Sequence, residues 1–473
     1  MTEELARIGG PLAVAGLALV VLARPRAGRF VGLVLWVVGT ALLVPLLAPS
    51  GDRGLLAAAG VVGLAIAAAL AVVLRRWPWA LALLALAATP ARIPVSIGAT
   101  DANLLLPLYL VVVAAALVLA WELVRGDGRA RELGLLAWPL AVLVFWLGLS
   151  AAWSDDIREA AIELLFFLLP FGLLAVSFSR LPWRPRPLAG VCALLAGMAL
   201  LFAVVGIGQW IARDVFWNPK VIVSNQVEPF FRVNSLFWDP SVYGRFLVVA
   251  ILATLVLLVL GLARRWHPAL VAGIAVSWVG LFFSYSQSSF AALVAGIIVL
   301  GAVAWRSRAF AAAAAIAAAL VAFGMSGPAL PLADDVGSRS RLVSEGLGIA
   351  VDNPILGVGL GGFKEAYAER LALSRRAPPK AASHTTPVTV AVESGFPGLL
   401  AFAWLVGATA WAAFRRPRDG GTLPRATAWA AGLAVVAIVV HSVFYNAFFE
   451  DPIVWGSLGL VALAAAARER GEP

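Results

Sequence analysis

The chain has 473 residues, of which 62% are hydrophobic and 13% charged, and its mean hydropathy is +0.93. Soluble domains carry about a quarter charged residues, so this composition excludes a soluble globular protein and indicates a polytopic membrane protein. The formal charge of +10 would favour a nucleic-acid partner in a soluble chain. In a membrane protein it reflects the arginines of cytoplasmic loops, and we predict no nucleic-acid partner.

About fifteen apolar stretches follow one another along the chain, most of them long enough to cross a hydrocarbon core of roughly 30 Å as a helix. They lie near 8–23, 30–48, 55–74, 77–89, 103–123, 134–150, 159–179, 188–210, 242–262, 268–283, 289–304, 309–326, 395–414, 427–446 and 452–467. The predicted fold class is an all-α integral membrane protein, a bundle of about 12 to 15 transmembrane helices. A large extracytoplasmic loop containing short helices completes the prediction.

Arginines set the orientation of the bundle. If the N-terminus is outside and the stretches alternate, the loops on the inner face hold 21 arginines and only 5 acidic residues. This asymmetry is typical of cytoplasmic loops, so we expect the C-terminus in the cytoplasm. Two long segments, 211–241 and 327–394, then lie outside the cell, and long structured loops are where functional residues concentrate. A short helix on the membrane surface is expected over 341–351.

The chain divides into four predicted regions. Residues 1–76 form N-terminal transmembrane helices, and 77–210 form a second set. Residues 211–402 form a catalytic region that contains both long outer segments, and 403–473 form the C-terminal helices.

Three classes of protein fit a bundle of this kind. A transporter or lipid flippase would carry ionisable groups or broken helices near the midplane, whereas Glu122 and Glu163 lie near the ends of their stretches. A structural scaffold would not need polar residues concentrated in two outer segments. An enzyme acting on a lipid-linked substrate at the membrane boundary would use outer arginines to bind an anionic headgroup such as a diphosphate.

Three motifs in these outer segments resemble one family. They are "FRVNSLFWDPSVYGRFL" at 231–247, "SRSRLVSEGLGIAVDNPILGVGLGGF" at 338–363 and "SHTTPVTVAVESGFPGLLAF" at 383–402. Their order and spacing are similar to those of the O-antigen ligase and O-antigen polymerase superfamily. The resemblance implies a glycosyltransferase in the bacterial cytoplasmic membrane with its active site on the extracytoplasmic face. Its partners would be an undecaprenyl-diphosphate-linked glycan donor, a lipid or glycan acceptor, and membrane lipids.

The resemblance also implies a metal-independent, inverting transfer with no cofactor. An arginine can stabilise the charge that develops on the diphosphate, and a histidine suits proton removal from an acceptor hydroxyl at neutral pH. The catalytic candidates are therefore His384, Arg232 and Arg339. Snorkelling at a helix end is the alternative role for Arg232, and helix capping is the alternative for His384.

Further candidates would bind the substrate: Arg341, Glu393, Asp239 and Gln287. Asp239, which precedes Pro240, is better explained as a helix N-cap. Glu393 could orient His384 or an acceptor hydroxyl. The sequence "SYSQ" places Gln287 where family members often have an arginine, so the acceptor and the branch of the family stay open. A ligase, a polymerase and, from a different class, a transporter remain the alternatives.

Two other features are best interpreted as structural. His441 lies inside the outer end of its apolar stretch and fits a satisfied interior histidine. Gly357, Gly359 and Gly361 lack a preceding strand, so close backbone packing explains them better than a phosphate-binding loop.

Overall fold

The computed structural model of the protein describes residues 2–47, 53–97, 100–126, 133–305, 332–371, 385–415 and 421–472. The architecture is an all-α bundle, as predicted, with one short antiparallel hairpin between β1 (Ile93–Ile97) and β2 (Thr100–Leu104). The helices before the first long outer segment are α1 (Thr2–Leu22), α2 (Arg26–Leu47), α3 (Arg53–Arg76), α4 (Ala80–Ala88), α5 (Leu106–Arg125), α6 (Ala137–Ser150), α7 (Ile157–Glu163), α8 (Leu169–Ser179) and α9 (Pro185–Ala212).

The described residues of the second half of the chain form nine further helices. They are α10 (Pro219–Val227), α11 (Pro240–Val259), α12 (His267–Phe283), α13 (Gln287–Trp305), α14 (Leu332–Asp352), α15 (Phe363–Arg370), α16 (Thr386–Phe414), α17 (Thr422–His441) and α18 (Pro452–Glu469). The second of the two long segments predicted to lie outside contains α14 and α15, which agrees with the predicted loop containing helices, although α14 has 21 residues. The first of these segments contains α10, which the sequence did not predict.

Twelve helical segments within the described residues are long and apolar enough to cross a membrane. They comprise α1, α2, α3, α5, α9, α11, α12, α13, α16 and α17, together with α6 and its flanking 3₁₀ turns (Gly134–Trp153) and the continuous run of α7 and α8 (Ile157–Ser179). A π-helical segment, Leu164–Leu168, joins α7 to α8. The protein is therefore a multi-pass membrane protein.

Three of the fifteen predicted stretches are not among these twelve membrane-crossing segments. The stretch near 77–89 forms only the nine-residue α4, about 14 Å long at 1.5 Å per residue. The stretch near 452–467 forms the 18-residue α18, which ends in the polar pair Arg468 and Glu469. The stretch 309–326 lies outside the described residues.

Helix ends predicted to be cytoplasmic meet at one end of the bundle, which we name the basic end. Arg180, after α8, pairs with Glu122 of α5 at 2.7 Å, and Arg415, after α16, pairs with Glu469 of α18 at 2.8 Å. The guanidinium of Arg468 donates to the carbonyls of Ala412 and Ala413 in the last turn of α16. These contacts agree with the alternation inferred from the sequence, because each joins two inner ends.

Glycines hold the first two helices close together. Gly9 and Gly16 of α1 face Gly39 and Gly32 of α2, and a Cβ at any of the four would collide with backbone of the facing helix. Small residues at such a crossing let membrane helices approach closely. Gly148 of α6 makes the same kind of contact with the Val14 side chain of α1, so the N-terminal helices pack directly onto the following ones.

Candidate functional site

A buried arginine joins three helices at the end of the bundle opposite the basic end. Arg245 of α11 is 1% exposed, and its Nε donates to Asp451 Oδ2 at 2.6 Å. Its Nη1 lies 3.5 Å from Nδ1 of His441, the last residue of α17. Asp451 directly precedes α18. We name this region, around Arg245, Asp451 and His441, the site end.

The contact with Arg245 bears on the tautomer of the His441 ring. Arginine nitrogens only donate, so a hydrogen bond between the two requires a neutral imidazole whose Nδ1 accepts and whose Nε2 carries the proton. The His441 side chain is fully buried. His441 is thus an interior histidine, in agreement with the sequence, and Arg245 is a partner of its Nδ1.

Two Asp-Pro pairs begin helices at the site end. Asp239 Oδ1 accepts a hydrogen bond from the backbone N–H of Ser241 at 2.7 Å, and Asp451 Oδ1 accepts one from Ile453 at 2.8 Å. Both follow the preference for aspartate at the N-cap and proline at the first helical position. Asp239 therefore has the capping geometry that the sequence suggested. Asp451 caps α18 and pairs with Arg245 at the same time.

The start of α16 is bound to the loop after α17. The backbone N–H of Thr386 donates to Ser442 O at 2.8 Å, and its hydroxyl donates to Asn446 Oδ1 at 2.7 Å. Thr385, the residue directly after His384, is buried. His384 itself lies outside the described residues.

Acidic and phenolic groups of the loop 442–451 lie beside these helix ends. The nearby carboxylate of Asp239, with burial as the second cause, raises the pKa of Tyr445. Burial raises the pKa of Glu450, and the positive charges of Arg92 and Arg245 oppose this shift. At neutral pH Tyr445 is therefore a protonated hydrogen-bond donor next to Asp239.

Arg232 is half-buried and is positioned by its backbone as well as its side chain. The Asn225 amide accepts from Arg232 N at 2.9 Å and donates to Arg232 O at 2.9 Å. The side-chain Nε of Arg232 donates to Ser284 O at 3.2 Å. One edge of the guanidinium is thus tied to the turn before α13. Gln287, three residues after Ser284, is exposed at the start of that helix.

Glu393 lies under the glycine loop, which we define as residues 357–362. Its side chain is buried and its carboxylate accepts hydrogen bonds from the backbone N–H groups of Gly361 and Phe363. The carbonyl of Glu393 accepts from Gly359 N at 2.9 Å. The described contacts of Glu393 therefore hold the loop, and orientation of His384 remains a separate prediction.

The glycine loop packs on backbone, as its sequence indicated. Gly357, Gly359 and Gly361 have φ values of 67°, 91° and 74°, which L side chains rarely adopt. A Cβ at Gly359 would collide with the backbone of Ser154, and one at Gly357 with the backbone at Glu393 and Ser394.

The two arginines of the second motif lie on α14, a longer helix than the one predicted over 341–351. Arg339 and Arg341 are two positions apart, which is about 200° around a helix axis, so the two positions face different directions. Arg341 is exposed. Leu342, Ile349 and Ala350 are buried against α15 and α16, whereas Leu347 is 49% exposed.

Sequence reasoning missed Arg245 and Asp451. The signal was present, because Arg245 falls inside the apolar stretch 242–262 and an arginine in a transmembrane segment requires a partner. Asp451, which follows "FFE" at 448–450, gives no comparable signal. It contacts Arg245 only because α18 packs against α17.

Residues 272–403 match the family model described as O-antigen ligase. The matched region runs from α12 into α16 and includes Gln287, Arg339, Arg341, His384 and Glu393. Arg232, Arg245, His441 and Asp451 lie outside it. A search of curated proteins found no match.

Proposed function

We propose that the protein is a glycosyltransferase of the ligase type, because residues 272–403 match the O-antigen ligase family model. It would move a glycan from undecaprenyl diphosphate to an acceptor hydroxyl at the site end. The site end would face the extracytoplasmic side of the bacterial inner membrane. The observation that carries this proposal is the fixed position of Arg232 at the end of the bundle where the family motifs converge.

Arg232 is suited to a diphosphate leaving group. Its Nε edge is tied to the Ser284 carbonyl and its backbone to Asn225, so little conformational freedom is lost when the guanidinium meets an anion. A preorganised donor of this kind stabilises charge that develops in the transition state, and one such donor typically contributes about 2.7–4 kcal/mol. Arg339, Arg341 and Gln287 would supply further contacts to the donor.

His384 is proposed as the general base. It directly precedes Thr385 and Thr386, and the latter is bonded to the loop after His441. A neutral imidazole there would take the proton of the acceptor hydroxyl as that oxygen attacks the anomeric carbon on the face opposite the diphosphate, which inverts the configuration. The proton ends on the histidine, and the diphosphate leaves on its lipid carrier.

The test is product formation by the purified protein in detergent, given an undecaprenyl-diphosphate-linked glycan and a candidate acceptor. Arg232→Ala and Arg232→Lys should each slow transfer by roughly 10²–10³, since lysine keeps the charge but loses the fork. Arg265→Lys, at an exposed arginine of the basic end, is the matched control and should retain normal transfer. Near-normal transfer by Arg232→Lys would reduce Arg232 to a snorkelling residue.

A polymerase differs from a ligase only in its acceptor. Offering a second carrier-linked glycan alongside a different lipid acceptor distinguishes them by the mass of the product.

A transporter is the second candidate, and the buried Arg245–Asp451 pair beside His441 favours it. Intramembrane ion pairs of this kind occur in transport pathways. In proteoliposomes a transporter would move the carrier-linked glycan across the bilayer without forming a new glycosidic bond. Formation of a covalent product in detergent, where no transport is possible, would therefore identify the protein as an enzyme rather than a transporter.

A further inference from the structure

A pocket of about 610 Å³ lies between the end of α9, α10 and the chain that leads to Arg232. Its volume falls within the roughly 300–1,000 Å³ of small-molecule sites. It belongs to the first outer segment, so it lies outside the region that matches the O-antigen ligase family.

The polar lining of the pocket both donates and accepts hydrogen bonds. It comprises Arg213, Asp214, Asn225, Gln226 and Glu228. Amide side chains offer a donor and an acceptor each, carboxylates accept, and a guanidinium only donates. Two acids against one arginine make the lining slightly negative, which disfavours a second phosphate and suits an uncharged ligand rich in hydroxyls.

Aromatic rings complete the lining. Phe230 and Phe231 border the pocket, and the guanidinium carbon of Arg213 lies 4.4 Å from the Trp210 ring centroid and 5.5 Å from that of Phe231. These contacts hold the arginine in place by cation–π attraction. The Phe230 ring packs 5.0 Å from Tyr285, which leaves a flat apolar wall beside polar side chains.

The pocket is rigidly joined to the proposed diphosphate site. Asn225, part of its lining, makes both backbone hydrogen bonds to Arg232. Phe231 precedes Arg232 directly. A ligand group in the pocket would therefore lie next to a diphosphate held by Arg232.

We propose that this pocket is a saccharide subsite that binds a neutral sugar, either the sugar attached to the donor diphosphate or the accepting sugar. Hydroxyl groups pair with the amides and acids, and the apolar face of the sugar ring packs on Phe230. The assignment rests on the proposed function for the identity of the substrate, but the binding of saccharide can be measured without transfer.

Two probes test the pocket in detergent-solubilised full-length protein. The first is a panel of water-soluble neutral mono- to trisaccharides, with binding detected by saturation-transfer NMR. The second is undecaprenyl diphosphate, compared with the same carrier bearing one neutral hexose. Gln226→Ala removes an amide group from the lining, and Glu228→Gln replaces one accepting carboxylate oxygen by a donating NH₂ group. Lys220→Ala is the control, since this exposed residue of α10 does not line the pocket.

Loss of one hydrogen bond should weaken saccharide binding by roughly two- to tenfold, while the control binds as wild type. If the donor sugar occupies the pocket, the variants lose affinity for the hexose-bearing carrier but not for the bare carrier. If the acceptor sugar occupies it, both carriers bind normally and the KM for acceptor rises.

The two proposals fail differently. Unchanged saccharide binding, carrier affinities and KM values in both variants would overturn the subsite and leave the proposed function standing. A wild-type protein that binds saccharides through Gln226 and Glu228, but neither binds the bare carrier nor transfers a glycan, would overturn the proposed function and leave the subsite standing.

Discussion

Arg245 and Asp451 form an ion pair with side-chain exposures of only 2% and 5%. Removing one partner of such a pair leaves an uncompensated charge in a medium that solvates it poorly, whereas the intact pair itself adds little net stability. The pair also ties the start of α18 to α11, since Asp451 caps that helix. Its expected role is to fix helix ends around the site.

Asp451→Ala is expected to lower the free energy of unfolding by about 3–5 kcal/mol, measured as a fall in the thermal unfolding midpoint in detergent. Glu469→Gln breaks the exposed Arg415–Glu469 pair and is the matched control with little effect, because exposed pairs are weak. Equal shifts in the two variants would contradict the structural role assigned to Arg245 and Asp451.

His441 and the proposed base His384 are expected to differ in what their loss changes. His384→Ala should keep the thermal midpoint and donor binding but slow transfer by roughly 10²–10⁴, the usual contribution of a general base. His441→Asn should lower the midpoint, because a buried partner of Arg245 is lost, and should retain transfer within a few-fold. The reverse pattern would make His441 the base and His384 a structural residue.

Residues with a local sequence signature were the predictable ones. Asp239 before Pro240 is a capping signal, and the structure shows the cap, whereas the role of Arg232, which rests on its motif, stays a prediction. Arg245 lies within an apolar stretch and was treated only as part of that stretch. Its partners, His441 and Asp451, lie about two hundred residues further along the chain. Only tertiary packing brings those partners together, so periodicity and composition could not identify them.

At the scale of elements, the glycine loop and the break in α16 form one unit. Gly395 has φ 67° and ψ −176° inside α16, and Phe396 N donates to Pro354 O at 2.8 Å. Backbone groups at the break in α16 thereby bond to the chain before and within the glycine loop. The Glu393 carboxylate also accepts hydrogen bonds from Gly361 and Phe363. This arrangement fixes the position of α14, which carries Arg339 and Arg341.

Gly359→Ala is expected to detach the loop, because alanine is strained at φ 91° and its Cβ would collide with Ser154 backbone. Limited proteolysis should then cut the segment between α13 and α16 faster, and transfer should fall. Gly407→Ala is the control within α16: nothing lies within 4 Å of its added Cβ, and alanine favours a helix by up to about 1 kcal/mol. Equal protease sensitivity of the two variants would argue against docking of the loop.

Sequence patterns predicted α14 but not its extent. The apolar residues at 342, 347, 349 and 350 indicated a surface helix, while the helix begins at Leu332. The polar stretch before Arg341 has no helical periodicity to mark the start. Three of the four apolar residues pack against α15 and α16 rather than against a membrane surface. This packing depends on the glycine loop that lies over α16.

At the scale of the molecule, arginine distribution and helix contacts give the same division into two ends. Loops predicted to be cytoplasmic meet at the basic end, through Arg180–Glu122 and Arg415–Glu469, and the motif-bearing segments meet at the other. The count of membrane spans was less predictable, since hydropathy alone cannot show that the stretch near 77–89 forms a helix of only nine residues.

The orientation of these ends is testable with single cysteines. Cys192 is the only cysteine of the chain, so Cys192→Ser gives a background without thiols. In that background Lys220→Cys, exposed at the site end, should react with a membrane-impermeant maleimide in intact spheroplasts. Arg265→Cys, exposed at the basic end, should react only after lysis.

This outcome follows from the excess of arginine at the basic end, which retains loops in the cytoplasm. Both positions are exposed, so a difference in labelling reports sidedness rather than burial. Labelling of both after lysis confirms that each thiol is reactive. Labelling of Arg265→Cys but not Lys220→Cys in intact spheroplasts would show that the bundle has the opposite orientation in the membrane. It would place the proposed saccharide pocket in the cytoplasm and remove the basis for an extracytoplasmic transferase.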